Sequence, residues 1–131
     1  MRSAVIVDTD ILIDLAHENE VAIKCLQKLE KDYQLEISAV TKLEIIVGCR
    51  NKSEFREANK FLDEFPINLI TPEVTNKTLE LVSKYFLSHN LLIADAFIAA
   101  TAITSQKPLI SKNQKDYRFI EELTLLPYPA T

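Results

Sequence analysis

The chain has 131 residues, 47% hydrophobic and 26% charged, enough for one domain that buries roughly two thirds of its unfolded surface. Nineteen acids against fifteen bases give a net charge of −4, which excludes bulk attraction as the way this protein would hold nucleic acid and requires that cations be recruited locally. A single glycine, Gly48, excludes both a GxGxxG dinucleotide fingerprint and a P-loop.

The stretch "SAVIVD" is short, continuous and β-branched, which predicts a buried strand over 3–8. One Arg followed by an apolar stretch broken at Asp8 does not read as a secretory signal. From Asp10 the spacing changes to Ile11, Leu12 and Leu15, then Val21, Ile23, Leu26 and Leu29 among charges, predicting a short helix and a longer amphipathic one over 18–32. "LEISAV" is a second strand, and "TKLEIIVG" a helix ending at Gly48 as a left-handed terminator. Residues 53–65 form another amphipathic helix closed by Pro66, and "INLI" is a third strand. "TPEVTNKTLELVSKYFLSHN" opens with Thr71 as N-cap and Pro72 at the first helical position. "LLIADAFIAATAITS" is an Ala-rich helix with Asn90 as its cap, "KPLIS" a fourth strand, and residues 123–126 a weak fifth. Val21, Phe55 and Phe61 read as core positions rather than partner surface.

Strands alternating with helices predict an α/β fold over residues 1–131 as a single domain. The expected architecture is a three-layer α/β/α sandwich around a central, mostly parallel sheet of four to five strands. No apolar run approaches the ~20 residues of a membrane span. Cys25 and Cys49 lack a CxxC spacing and read as core or surface thiols rather than a disulfide or metal site, which favours the cytoplasm.

In parallel sheets, sites form at the carboxyl ends of strands, and acid collects there. Asp8 ends the first strand; it is either a helix cap or functional, and since Asp10 could cap equally well, Asp8 is surplus. Glu44 fits a capping box with Thr41, "TKLE", but Ser38 as the cap would give a longer helix with Glu44 inside it. Asp95 has apolar neighbours at nearly every i±3 and i±4 position, and a carboxylate in such surroundings needs a metal or a donor. With Asn90 as cap it lies beyond the first turn, where the helix dipole would favour it. Asp116 in "SKNQKDYRF" reads most simply as a solvated loop acid, with Ser111 and Asn113 as neutral oxygen groups nearby.

These residues together resemble the PIN-domain endoribonucleases, and within them the VapC-type toxins of toxin–antitoxin pairs. The resemblance rests on "VDTDILID", "SAVTKLEIIVG", "LLIADAFIAATAI" and "LISKNQKDY", which follow in the family's order over almost the whole chain. It implies that Asp8, Glu44, Asp95 and Asp116 form an acidic quartet holding Mg²⁺ or Mn²⁺, with Thr9, Ser38 and Asn113 as supporting polar groups. Hard oxygen ligands suit those ions, and His17 and His89 lie outside the acidic motifs. The family often has Thr and Arg ahead of the Asn; here Ser111 and Lys112 stand there, and Lys meets a phosphate as a point charge without a bidentate fork. The implied function is metal-dependent hydrolysis of RNA phosphodiester bonds, leaving a 5′-phosphate and a 3′-hydroxyl. The implied partners are an RNA substrate, a cognate antitoxin and a second copy of the chain in a homodimer, with no membrane.

Three other readings compete. A haloacid-dehalogenase-type phosphatase would use Asp8 and Asp10 as a D-x-D pair, but Leu12 stands where that class has a small polar residue. A response-regulator receiver needs an Asp ending a middle strand, and the candidate strand ends "INLITPE". A PIN fold that has lost catalysis would serve as a binding module.

Overall fold

The computed structural model describes residues 3–130; Arg2, part of the N-terminal reading above, lies outside them. β1 (Ser3–Val7) leads into α1 (Thr9–Ala16) and α2 (Glu20–Leu29). Next come β2 (Tyr33–Ser38), α3 (Ala39–Val47), α4 (Lys52–Leu62) and β3 (Ile67–Asn68). The chain continues through α5 (Pro72–His89), α6 (Ile93–Thr104), β4 (Leu109–Ile110), a short 3-10 turn at Gln114–Asp116, and β5 (Leu125–Leu126).

The strands form one five-stranded sheet in the order β3-β2-β1-β4-β5, and every pairing in it is parallel. The sheet is therefore wholly parallel, and its central strand is β1, as the run of β-branched residues required. Alternation along β1 divides the core. Val5 and Val7 pack with Ile11 and Leu12 of α1, Leu26 of α2 and Leu62 of α4. Ile6 faces the other way, with Leu81, Ala96, Ala99 and Leu109. Helices thus cover both faces and complete the three layers.

Local chemistry fixes the boundaries. Asn19, Asn51 and Thr71 cap α2, α4 and α5, each accepting a backbone N–H from three residues on. Pro72 opens α5 with the N–H it lacks falling among donors that have no helical partner. Ala96, Ala99, Ala100 and Ala102 are fully buried, and their small side chains let α6 approach α5 and the sheet closely.

Several boundaries differ from the sequence expectation. β2 ends at Ser38, and Ala39 and Val40 belong to α3, because Ser38 Oγ accepts the Val40 N–H at 3.0 Å and starts the helix there. Gly48 closes α3 in right-handed geometry, φ −78°, so its left-handed freedom is not used. Asn90 is not the cap of α6; it ends α5 at φ 53°, a conformation asparagine tolerates better than most residues. Leu92 precedes α6 without a side-chain cap. Val21 and Phe55 are 49% and 43% exposed, so neither belongs to the core, whereas Phe61 packs against its edge.

Candidate acidic site

The backbone N–H of Asp8 donates to the Ile110 carbonyl at 3.0 Å, extending the β1–β4 ladder by one residue. The ends of these two strands are consequently side by side, and each delivers polar residues to the same place. Asp8 is only 5% exposed. Its Oδ1 accepts the Thr9 N–H at 2.9 Å, and its Oδ2 accepts the Ser111 hydroxyl at 2.7 Å. Asp8, not Asp10, is thus the N-cap of α1. Asp10 instead accepts the N–H of Ile11 at 2.7 Å through Oδ1 and the N–H of Asn113 at 3.1 Å through Oδ2. It ties the start of α1 to the loop after β4.

Glu44 comes in from α3. Ser38 caps that helix, which frees Thr41 from the capping box; Thr41 lies buried with its Oγ1 2.9 Å from Thr9 Oγ1. Thr9 donates to Glu44 Oε1 at 2.7 Å. Asp95 occupies the first turn of α6, because the helix starts later than Asn90 would have started it, and the helix dipole there favours negative charge. Its Oδ1 accepts the hydroxyl of Tyr117 at 3.2 Å. Asp116 ends the 3-10 turn, exposed at the rim.

The charges report on one another. Burial, then the neighbouring Asp10, pushes Asp8 up to about 7, against which its hydrogen bonds from Ser111 and Thr9 work. Burial also raises Asp10 and Asp95, and the charges of Asp116, Glu44 and Asp10 add to the effect on Asp95. The sequence-predicted quartet and Asp10 therefore share one electrostatic neighbourhood. They do not close into a cage: among the described residues no group of three His, Cys, Asp or Glu side chains is gathered to hold a metal. Asp8, Asp10, Glu44 and Asp95 each accept a hydrogen bond from a protein donor instead. The donor set itself, several carboxylates partly stripped of water and repelling one another, is one that a hard divalent cation relieves.

The predicted supporting residues divide. Thr9 reaches Glu44. Ser38 caps α3, and Asn113 contributes its backbone N–H, which lies 3.1 Å from Asp10 Oδ2. Lys112 reaches over α1 to Asp14, Nζ to Oδ2 2.8 Å. Sequence reading passed over Tyr117, which is 1% exposed and held in its protonated form by burial and the adjoining Asp8 and Asp95. A tyrosine following an otherwise polar turn was its signal, since a buried phenol requires a partner.

The family model described as PIN domain matches residues 5–121, and the chain belongs to that family. It is similar to Ribonuclease VapC10 of Mycobacterium tuberculosis, 31% identical over 120 residues, covering 91% of this chain and 90% of the relative. Ribonuclease VapC1 of Methanocaldococcus jannaschii is 30% identical over 129 residues, covering 97% and 88%. Among solved structures, a chain of a toxin–antitoxin complex from Klebsiella pneumoniae superposes with a TM-score of 0.77 at 30% identity, covering 97% of this chain and 98% of that one. VapBC2 from Rickettsia felis, at 22% identity and a TM-score of 0.78 over 93% and 96% of the two chains, shares the fold.

Proposed function

We propose that this single PIN domain is a divalent-metal-dependent endoribonuclease, the toxin of a toxin–antitoxin pair, acting in the cytoplasm. The observation that carries the reading is the set of desolvated, mutually coupled carboxylates where β1, β4, α3 and α6 meet. The ribonuclease names of the relatives support it. Asp8, Glu44, Asp95 and Asp116 would hold the ion. When bound, one or two Mg²⁺ or Mn²⁺ ions supply Lewis acidity toward the scissile phosphate and a water of lowered pKa.

The chain's own residues do the rest. Thr9 donates to Glu44, and Ser111 holds Asp8. Lys112, exposed at the rim, meets the RNA backbone as a point charge. Beside Glu44 runs a groove of about 250 Å³ lined by Leu12, Ile13, Ala16, Ile45, Cys49 and Phe61. It suits an apolar segment of an antitoxin whose basic residue then reaches the acids. Exposed Phe86, Leu87, Leu92 and Ile93 around the α5–α6 junction offer a separate face to a second copy. No helix among the described residues is long and apolar enough to cross a membrane.

The test is cleavage of a total RNA pool by antitoxin-free protein with Mg²⁺, with Mn²⁺ and with EDTA, beside an Asp95→Asn control. Metal-dependent cutting with 5′-phosphate ends, lost in the control, is expected. Cutting that survives EDTA or the substitution would sink the proposal.

A further inference from the structure

Asp95 differs from Asp8 in how it is held. Among the described residues Asp8 accepts from the Thr9 N–H and the Ser111 hydroxyl, with the Tyr117 phenol also adjoining it. Asp95 accepts from one group among the described residues, the Tyr117 hydroxyl on its Oδ1. Its other oxygen accepts from no protein donor among the described residues, and the charges of Asp116, Glu44 and Asp10 act on this carboxylate.

The phenol is a rigid donor. Its ring is buried with Ile6, Ala96, Ile98 and Leu109 in the core beneath α6. Its backbone is pinned at both ends: its N–H donates to the Gln114 carbonyl at 3.2 Å, and its own carbonyl accepts the Ile120 N–H at 3.0 Å. A tyrosine has two side-chain torsions, and packing fixes both, so the oxygen has little freedom to follow a moving carboxylate. Both neighbouring acids, Asp95 and Asp8, are acceptors when ionised, and the single phenolic proton can serve only one of them well.

We propose that Tyr117 is a positioning residue of the acidic site: by donating to Asp95 Oδ1 it fixes the angle at which Asp95 presents its other oxygen to a divalent cation. The inference rests on the metal-dependent reading above. Partners that orient a ligand from behind typically change metal affinity 10–100-fold when removed. Tyr117→Phe keeps the ring and deletes the donor.

The experiment titrates Mn²⁺ into the antitoxin-free full chain and follows the electron paramagnetic resonance signal of free Mn²⁺, for wild type, Tyr117→Phe and Asp95→Asn. The expected result is affinity about 10–100-fold weaker in Tyr117→Phe, with KM for RNA unchanged and the rate recovering as Mn²⁺ is raised. A metal-free melting temperature within a few degrees of wild type certifies the fold. Should Tyr117→Phe fail to fold, the wild-type Tyr117 hydroxyl proton, followed by NMR, decides: it shifts on addition of Mg²⁺, and a resonance indifferent to saturating Mg²⁺ overturns the proposal. Wild-type Mn²⁺ affinity in Tyr117→Phe overturns the role of Tyr117 while leaving the nuclease reading intact. A wild-type protein that neither binds Mn²⁺ nor cuts RNA overturns both.

Discussion

Ser111 donates its hydroxyl to Asp8 Oδ2 at 2.7 Å, joining the residues that follow neighbouring strands β4 and β1. The bond only partly offsets the burial of Asp8, whose pKa remains raised from 3.8 to about 7. A native carboxylate titrating above its unfolded value binds more protons than the unfolded chain does, so its contribution to stability is present at low pH and lost as pH rises. The window runs from about 4 to about 7, and the full loss is on the order of 4 kcal/mol. Metal-free protein is therefore expected to melt at a lower temperature at pH 8 than at pH 5, with Asp8→Asn flattening the dependence. A melting temperature that climbs over this range in metal-free buffer would show that Asp8 is ionised without strain.

Thr9 is the link between α1 and Glu44. Thr9→Val removes the donor to Glu44 Oε1 and leaves the buried Thr41 hydroxyl without its neighbour. Deleting such a bond costs about 1–2 kcal/mol, and RNA cleavage is expected to fall well beyond what that loss of stability explains. Thr9→Ser retains the hydroxyl and should keep most of the activity. Denaturant melts and cleavage rates on both variants make the comparison; equal rates would remove Thr9 from the site.

Lys107 makes a different kind of contact. From the chain just before β4 it reaches Glu36 Oε1 at 2.6 Å and Asn68 Oδ1 at 3.0 Å, tying together the strand segments across the sheet. The Glu36 side chain is 12% exposed, so Lys107→Met leaves a mostly buried carboxylate with the neutral Asn68 amide as its remaining side-chain donor, 3.0 Å away, and is expected to cost about 2–3 kcal/mol. Adding Glu36→Met should restore much of the loss, because a matched apolar pair avoids the desolvation of both ions. Chemical denaturation of the single and double variants reads this directly, and a double variant as unstable as the single one would contradict it.

The two thiols should behave unequally. Cys25 is 3% exposed, in the core beneath α2, whereas Cys49 is half-buried and lines the groove beside Glu44. Native protein is expected to react with a thiol reagent at Cys49 within minutes and at Cys25 only on unfolding. A bound antitoxin should slow the first reaction. Labelling of Cys49 at the same rate in the complex would place the antitoxin elsewhere.

The parallel sheet and the gathering of acids at its strand ends were legible in the sequence because β-branched runs alternate with helical spacings. The details that escaped are those decided by competition between neighbouring polar residues. Asp8 and Asp10 are equally good caps on paper; the ladder from Ile110 to the Asp8 N–H sets where β1 ends and so which of them starts the helix. Thr41 and Glu44 have capping-box spacing, yet the Ser38 hydroxyl begins α3 one turn earlier and turns both toward Thr9. Asn90 reads as the N-cap of the Ala-rich helix, but its left-handed backbone makes it the end of α5. Tyr117 could be placed only once the fold had carried it beneath Asp95.

Asp8 and Ser111 are 103 positions apart, which puts assembly of the acidic centre on the clock of protein synthesis. Translation proceeds at roughly 5–20 residues per second, so Asp8, Asp10 and Glu44 are made seconds before the strand that completes their surroundings. A nascent chain can carry α1 through α5 without a finished acidic centre. The ribosome making it, itself built of RNA, meets the completed site only after β4 has emerged and docked beside β1.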